Sequence, residues 1–137
     1  MSMNRVILVG RVGQDPEIKS FDNGRRMATF SLATSERWRD KSTGERREKT
    51  QWHRVRVMSD GLIRIVENYV RRGGLVGVEG AMEYREWEGQ DGSKRKAAEV
   101  VLKGFDGRLS LLGDGGGGRP SSGQQDYGRD LDDEIPF

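Results

Sequence analysis

Five stretches of the chain carry the apolar and β-branched residues of strands, and one stretch between the third and fourth carries the period of a helix. The strand candidates are Arg5 to Val12, Met27 to Thr34, Thr50 to Met58, Leu75 to Trp87 and Ala97 to Leu112. Asp22-Asn23-Gly24, Ser42-Thr43-Gly44 and Asp91-Gly92 supply turn chemistry between them. In the helical stretch Leu62, Ile65, Val66, Tyr69 and Val70 recur on one face, with Ser59 or Asp60 as N-cap and Gly73 as the stop. Three strands, a helix and two strands predict an all-β fold: a five-stranded OB-fold Greek-key barrel with one helix between strands 3 and 4. Such barrels bind oligonucleotides or oligosaccharides on one face, and the fold alone does not choose between them.

The 137 residues suffice for one core of ordinary size. Residues 1–112 are expected to form that domain. After Leu112 the sequence turns to GDGGGGRPSSGQQDYGRD, which has too little apolar content to offset the entropy of ordering, so residues 113–129 read as a flexible Gly-rich linker. Its 17 residues have an r.m.s. reach of roughly 20 to 25 Å, which keeps the final stretch near the barrel. That stretch, DLDDEIPF at 130–137, sets the acids Asp132, Asp133 and Glu134 before Ile135, Pro136 and Phe137. A solubilising tail has no use for a terminal Phe, and a buried tail would hide it. The pattern suits a portable ligand whose ring enters a partner pocket while a basic rim holds the acids.

Charge divides the chain in the same place. Residues 113–137 hold two arginines against six acids, a net of −4, which leaves +6 on residues 1–112. A basic body with an acidic tail predicts an anionic partner for the first and a basic partner for the second. The absence of cysteine excludes disulfides and thiolate metal sites, and a single His leaves no zinc-type ligand set, so no metal or cofactor is expected. No apolar run approaches the roughly 20 residues needed to span a bilayer. The N-terminal MSMNRVILVGRVG lacks a secretory h-region, so no membrane association and a cytoplasmic location are expected.

The residues that carry chemistry lie on QWHRVRVM, 51–58. Strand alternation sends Gln51, His53, Val55 and Val57 one way and Trp52, Arg54, Arg56 and Met58 the other. The second set is a flat, cationic, polarisable strip. Nucleobases stack on aromatic faces at about 1 to 3 kcal/mol each, and arginine both neutralises phosphate and stacks on bases. All three tryptophans lie near arginine: Trp38 between Arg37 and Arg39 in a long charged loop over 35–49, Trp52 two residues before Arg54, and Trp87 on the face of Arg85. Interleaved acids (Glu36, Asp40, Glu45, Glu86, Glu88) favour a groove over a uniformly basic plate. His53, on the inward face, reads as a packing or interface residue, with no nucleophile beside it. Gly113, Gly115 and Gly118 spell a dinucleotide-binding pattern, but Pro120 follows where a helix should run. With no phosphate loop and no catalytic pair, an enzyme is not expected.

Over essentially its whole length the chain resembles the bacterial single-stranded DNA-binding protein family. The matching stretches are NRVILVGRVGQDPE (4–17), LATSERWRDKSTGE (32–45), QWHRV (51–55), ENYVRRG (67–73), VEGAMEYREW (78–87) and DLDDEIPF. The resemblance implies a homotetrameric OB-fold that binds single-stranded DNA without sequence preference, is nucleoid-associated, and recruits replication, recombination and repair proteins through the acidic tip. It sets Trp38, Trp52 and Trp87 on the family's base-stacking aromatics and Lys41, Arg54, Arg71, Arg72 and Arg85 at or beside its phosphate-contacting positions. It also sets His53 at a subunit interface. Met58 stands where the best-known members have a stacking Phe, Glu86 where a Lys is common, and Ser110 where some members have a Gln in the contact between dimers. The sequence also allows two other readings: an OB module that acts on RNA, and a scaffold whose main contacts are with proteins.

Overall fold

The computed structural model describes residues 1–113 of the chain; the linker and tip positions from 114 onward, Asp132 to Phe137 among them, lie outside the described residues. Among the described residues seven strands and one helix follow in the order β1 (Val6–Val12), β2 (Glu17–Ser20), β3 (Arg26–Arg39), β4 (Arg46–Val57), α1 (Asp60–Tyr69), β5 (Leu75–Glu88), β6 (Lys94–Leu102) and β7 (Arg108–Gly113). Along the sheet the neighbours run β1-β3-β4-β6-β5-β7. β1 also pairs with β5, so the path β1-β3-β4-β6-β5 returns to its start. β4 and β6 run parallel, and every other pair is antiparallel. The ring therefore contains the expected five strands, and closing it removes the unpaired edges that an open sheet would expose.

The two further strands depart from expectation for local reasons. β2 is EIKS, a charged segment with one apolar residue, and it folds back on β3 through the Asp22-Asn23-Gly24 turn, where Gly24 takes φ +82°. The predicted fifth strand, Ala97 to Leu112, is two: Lys103 to Gly107 form a turn closed by the Gly107 N–H donating to the Lys103 carbonyl at 2.7 Å. The charged loop expected over 35–49 is mostly strand, because β3 and β4 continue pairing to Arg39 and Arg46 and leave only a tight turn. A charged ribbon paired along its length needs no core beneath it.

Inside the ring Phe30, Leu32, Val55, Val57, Val76, Val78, Val100 and Leu102 are buried, and α1 adds Ile63, Val66 and, just past its end, Val70. Each such aliphatic side chain contributes about 1.5 to 3 kcal/mol on burial. The helix stripe is shifted from the sequence expectation: Ile63 is buried and Tyr69 is exposed. Ser59 is the N-cap residue, and Gly73 follows the helix with φ +86°. The Arg71 side chain donates to the Glu67 and Val70 carbonyls at 3.0 and 2.8 Å, satisfying acceptors that a helix end leaves orphaned.

Candidate nucleic-acid interface

Register assigns side chains to the two faces of β3, β4, β6 and β5. Core residues Phe30 and Val55 oppose each other, as do Val55 and Val100. The alternate positions form the outer face: Ser31 opposite Arg54, Ala33 opposite Trp52, Arg54 opposite Glu99, Glu99 opposite Glu83, Ala97 opposite Arg85 and Arg95 opposite Trp87. Arg54, Trp52 and Arg85 thus each stand beside a small residue on one neighbouring strand. Ala33 and Ala97 are short beside Trp52 and Arg85, and a shallow groove runs beside Trp52 and Arg54. Trp52 is 62% exposed at its centre.

One side of the Trp52 ring rests on backbone. A Cβ built on Gly13 would lie 2.5 Å from Cζ3 of Trp52 and 2.7 Å from Oγ of Ser31, closer than real carbon contacts come. Gly13 therefore acts as the seat of the ring, and its N–H donates to the Ser31 carbonyl at 2.9 Å. Gln14, Asp15, Thr29 and Ser31 wall a shallow concavity beside Trp52 and Arg54.

Arg54, Arg56 and Arg85 converge on Glu99, whose side chain is 2% exposed. Arg54 Nε donates to Glu99 Oε2 at 2.7 Å; Arg85 Nε is 4.0 Å from the same oxygen and Arg56 Nε 3.8 Å from Oε1. Glu83 takes Arg56 Nη2 at 3.2 Å and Lys103 Nζ at 2.7 Å. Arg56 is consequently 23% exposed and held between two carboxylates, whereas Arg54 and Arg85 are half-exposed. The Arg85 guanidinium carbon lies 5.1 Å from the Trp87 ring centroid, within cation–π range.

Two ribbons extend beyond the core. On the β3–β4 ribbon Arg37 pairs with Glu48 at 2.9 Å and Arg47 with Asp40 at 3.2 Å, and Lys41 is in the turn. Trp38 opposes Arg47 and is an odd number of residues from Ala33, so it belongs to the other pleat face from Trp52. On the β5–β6 ribbon Glu86 meets Lys96 at 4.0 Å, on the opposite face from Trp87, which partly compensates an acid expected to repel phosphate. At the ribbon tip the Ser93 hydroxyl, then its N–H, hold the Asp91 carboxyl below the usual carboxylate range.

Of the residues expected to act together, Trp52, Arg54, Arg56, Arg85 and Trp87 share one face. Met58 continues that face past the end of β4, exposed, with its N–H donating to the Leu102 carbonyl at 2.9 Å. Trp38 and Lys41 lie out on a ribbon. Arg71 and Arg72 lie at the end of α1, where the backbone N–H of Arg72 donates to Asp15 at 2.8 Å; Asp15 also borders the Trp52 concavity. His53 is on the inner face, its Nε2 2.8 Å from the Thr34 hydroxyl. Glu99, Glu83, Lys103 and Gly13 were not anticipated. A lone acid in the apolar run AAEVVL was the available signal for Glu99.

The family model described as the single-strand binding protein family matches residues 3–107. The chain belongs to that family. A single-stranded DNA-binding protein of Rhizobium meliloti (strain 1021) is 42% identical, over 99% of this chain and 98% of the relative. The single-stranded DNA-binding protein of Rickettsia felis (strain ATCC VR-1525 / URRWXCal2) is 41% identical with the same coverage. Among solved structures, the Plasmodium falciparum SSB complex with ssDNA is similar at a TM-score of 0.74 and 38% identity, covering 81% of this chain and 96% of that one. The OB-fold expectation is thereby borne out. Proteins of the single-strand binding family are non-enzymatic DNA-binding proteins, and the groove of this family member offers stacking faces and guanidinium edges.

Proposed function

We propose that the protein coats single-stranded DNA without sequence preference and presents it to enzymes held by its C-terminal tip. The exposed Trp52 ring, seated on Gly13 and flanked by the half-free Arg54, carries this reading. Trp52 and Trp87 stack bases, with Trp38 engaging the strand farther along the β3–β4 ribbon and Met58 giving a polarisable but weaker contact. Arg54 and Arg85 bind phosphate, Lys41, Arg71 and Arg72 extend the cationic track, and Arg56 contributes less because two carboxylates already engage it.

The protein assembles as a homotetramer. Ile7, 63% exposed, and Leu112 lie on the outward face of β1, β5 and β7 with Ser110, and such apolar residues favour burial against another copy. His53 lies at a subunit contact. Asp132, Asp133, Glu134, Ile135, Pro136 and Phe137 bind replication, recombination and repair proteins weakly and reversibly, since ordering the tail offsets part of the contact energy. Several tails on one tetramer raise avidity without new contacts. The working location is the cytoplasm, at the nucleoid.

The test is a tryptophan-fluorescence titration with oligo(dT), duplex DNA and matching RNA at two salt concentrations. Strong, stoichiometric quenching by oligo(dT) with little response to duplex is expected. Absence of quenching by any nucleic acid would overturn the reading, and equal quenching by RNA would replace DNA with single strands of either kind.

A further inference from the structure

We propose that Glu99 is a positioning residue for the DNA-binding groove: its buried carboxylate accepts a hydrogen bond from Arg54 Nε and draws in Arg85, which covers one side of the Trp87 ring, by an ion pair. The proposal rests on the single-stranded DNA reading above. On charge alone, an acid in a phosphate-binding face is a liability. Burying it also removes its water, a cost that only close cationic partners offset.

The geometry shows what the acid does in return. Arg54 Nε donates to Glu99 at 2.7 Å, while Arg56 and Arg85 stand by it as ion pairs at 3.8 and 4.0 Å, without a hydrogen bond to it. A guanidinium is a rigid fork with five N–H groups, so holding it at Nε fixes its plane and leaves the Nη groups for another ligand. For Arg56 that second edge goes to Glu83. Arg54 and Arg85 are 50% and 51% exposed, and neither spends its Nη groups on Glu99, which leaves those groups to bind phosphate oxygens in pairs. Arg85 also lies 5.1 Å from the Trp87 centroid, so the ion pair that draws it toward Glu99 bears on what covers one side of that ring. Glu99 thus couples a phosphate contact to a stacking contact on the neighbouring strand.

The test turns on the sign of an effect. If Glu99 acted only as a negative charge, Glu99→Gln would tighten oligo(dT) binding and steepen its salt dependence. As a positioning residue it should do the reverse: affinity falls about tenfold, within what one lost base stack costs. In a Trp38→Phe/Trp52→Phe background, where emission reports Trp87, the same substitution should increase acrylamide quenching of the free protein. Equal or tighter binding by a folded Glu99→Gln protein, with wild type still quenched by oligo(dT), overturns the positioning role and leaves the DNA reading standing. Failure of wild type to respond to oligo(dT) overturns both. The wild-type protein supplies a check that needs no substitution, by NMR of arginine Nε–H groups. A resolved, slowly exchanging signal for Arg54 before DNA is added is expected; an averaged, solvent-exchanging one overturns the proposal.

Discussion

Gly13→Ala separates the seat of a stacking ring from the ring itself. Gly13 is outside the positive-φ glycines of the fold, so its backbone accepts Ala. The new Cβ would stand 2.5 Å from Trp52 Cζ3 and 3.1 Å from Cη2. Carbon contacts settle near 3.5 to 4.0 Å, so the indole must retreat by about 1 Å. A full stack is worth about 1 to 3 kcal/mol, which sets the ceiling, and a displaced ring should forfeit about 1 kcal/mol, roughly fivefold in affinity. Stability should hardly change. The entropic gain of Gly→Ala, about 0.4 to 1 kcal/mol, is set against crowding of the Ser31 hydroxyl, 2.7 Å from the Cβ position. The assay is an oligo(dT) titration of wild type, Gly13→Ala, Trp52→Ala and the double variant. Trp52→Ala should cost about 1 to 3 kcal/mol, and adding Gly13→Ala to it should cost almost no further affinity, because the ring atoms that the new Cβ displaces are gone. Losses that add in the double variant would refute the seat.

Three further outcomes are expected. Arg54→Gln should reduce the slope of log affinity against log salt by about 0.7, the value of one phosphate on a single strand, while Arg56→Gln should change it less; equal changes would show that Glu83 and Glu99 do not occupy Arg56. Deleting residues 130–137 should raise DNA affinity at low salt by removing acids that compete for the groove, and an unchanged affinity would dismiss that competition. Leu102→Ala, at a fully buried core position, should destabilise the domain by about 2 to 5 kcal/mol in denaturant titrations at fixed protein concentration; a loss below 1 kcal/mol would contradict its place in the core.

The sequence exposed those features that follow from a period. Alternation sorted QWHRVRVM correctly, with Val55 and Val57 inside and Trp52 and Arg54 outside, because a strand half-buried in a barrel has one answer for each parity. The five strands of the ring were legible for the same reason. β2 was not, since its pairing with β3 rests on main-chain bonds and a Gly24 turn with almost no apolar signal. The ribbon over 35–49 was hidden likewise: charged residues that read as loop are the side chains of a paired, solvated arm. The helix was placed within a few residues and Val66 and Val70 of its stripe are buried, but Ile63 is buried where Tyr69 was expected, because Ile63 and Leu62 are adjacent and either suits an apolar face until the barrel fixes the rotation. Glu99 was legible only as an anomaly, since what surrounds it comes from strands far apart in sequence.

Those paired charges bear on how the groove attracts DNA. Around its centre Arg54, Arg56, Arg85 and Lys103 are matched against Glu83 and Glu99, a net of +2 from four cations. Counterion release follows phosphates neutralised by free cationic edges. A guanidinium held between two carboxylates releases little, so this part of the groove should contribute a salt slope near that of two phosphates, about 1.4, against about 2.8 for four independent cations. The affinity left at high salt then has to come from stacking on Trp52 and Trp87, which salt screens weakly. Measuring affinity over a salt series for wild type and for Trp52→Ala separates the two contributions. The lines should be parallel and offset, because removing the ring takes away a salt-insensitive term. Lines that converge at high salt would mean that the rings act mainly by holding the arginines.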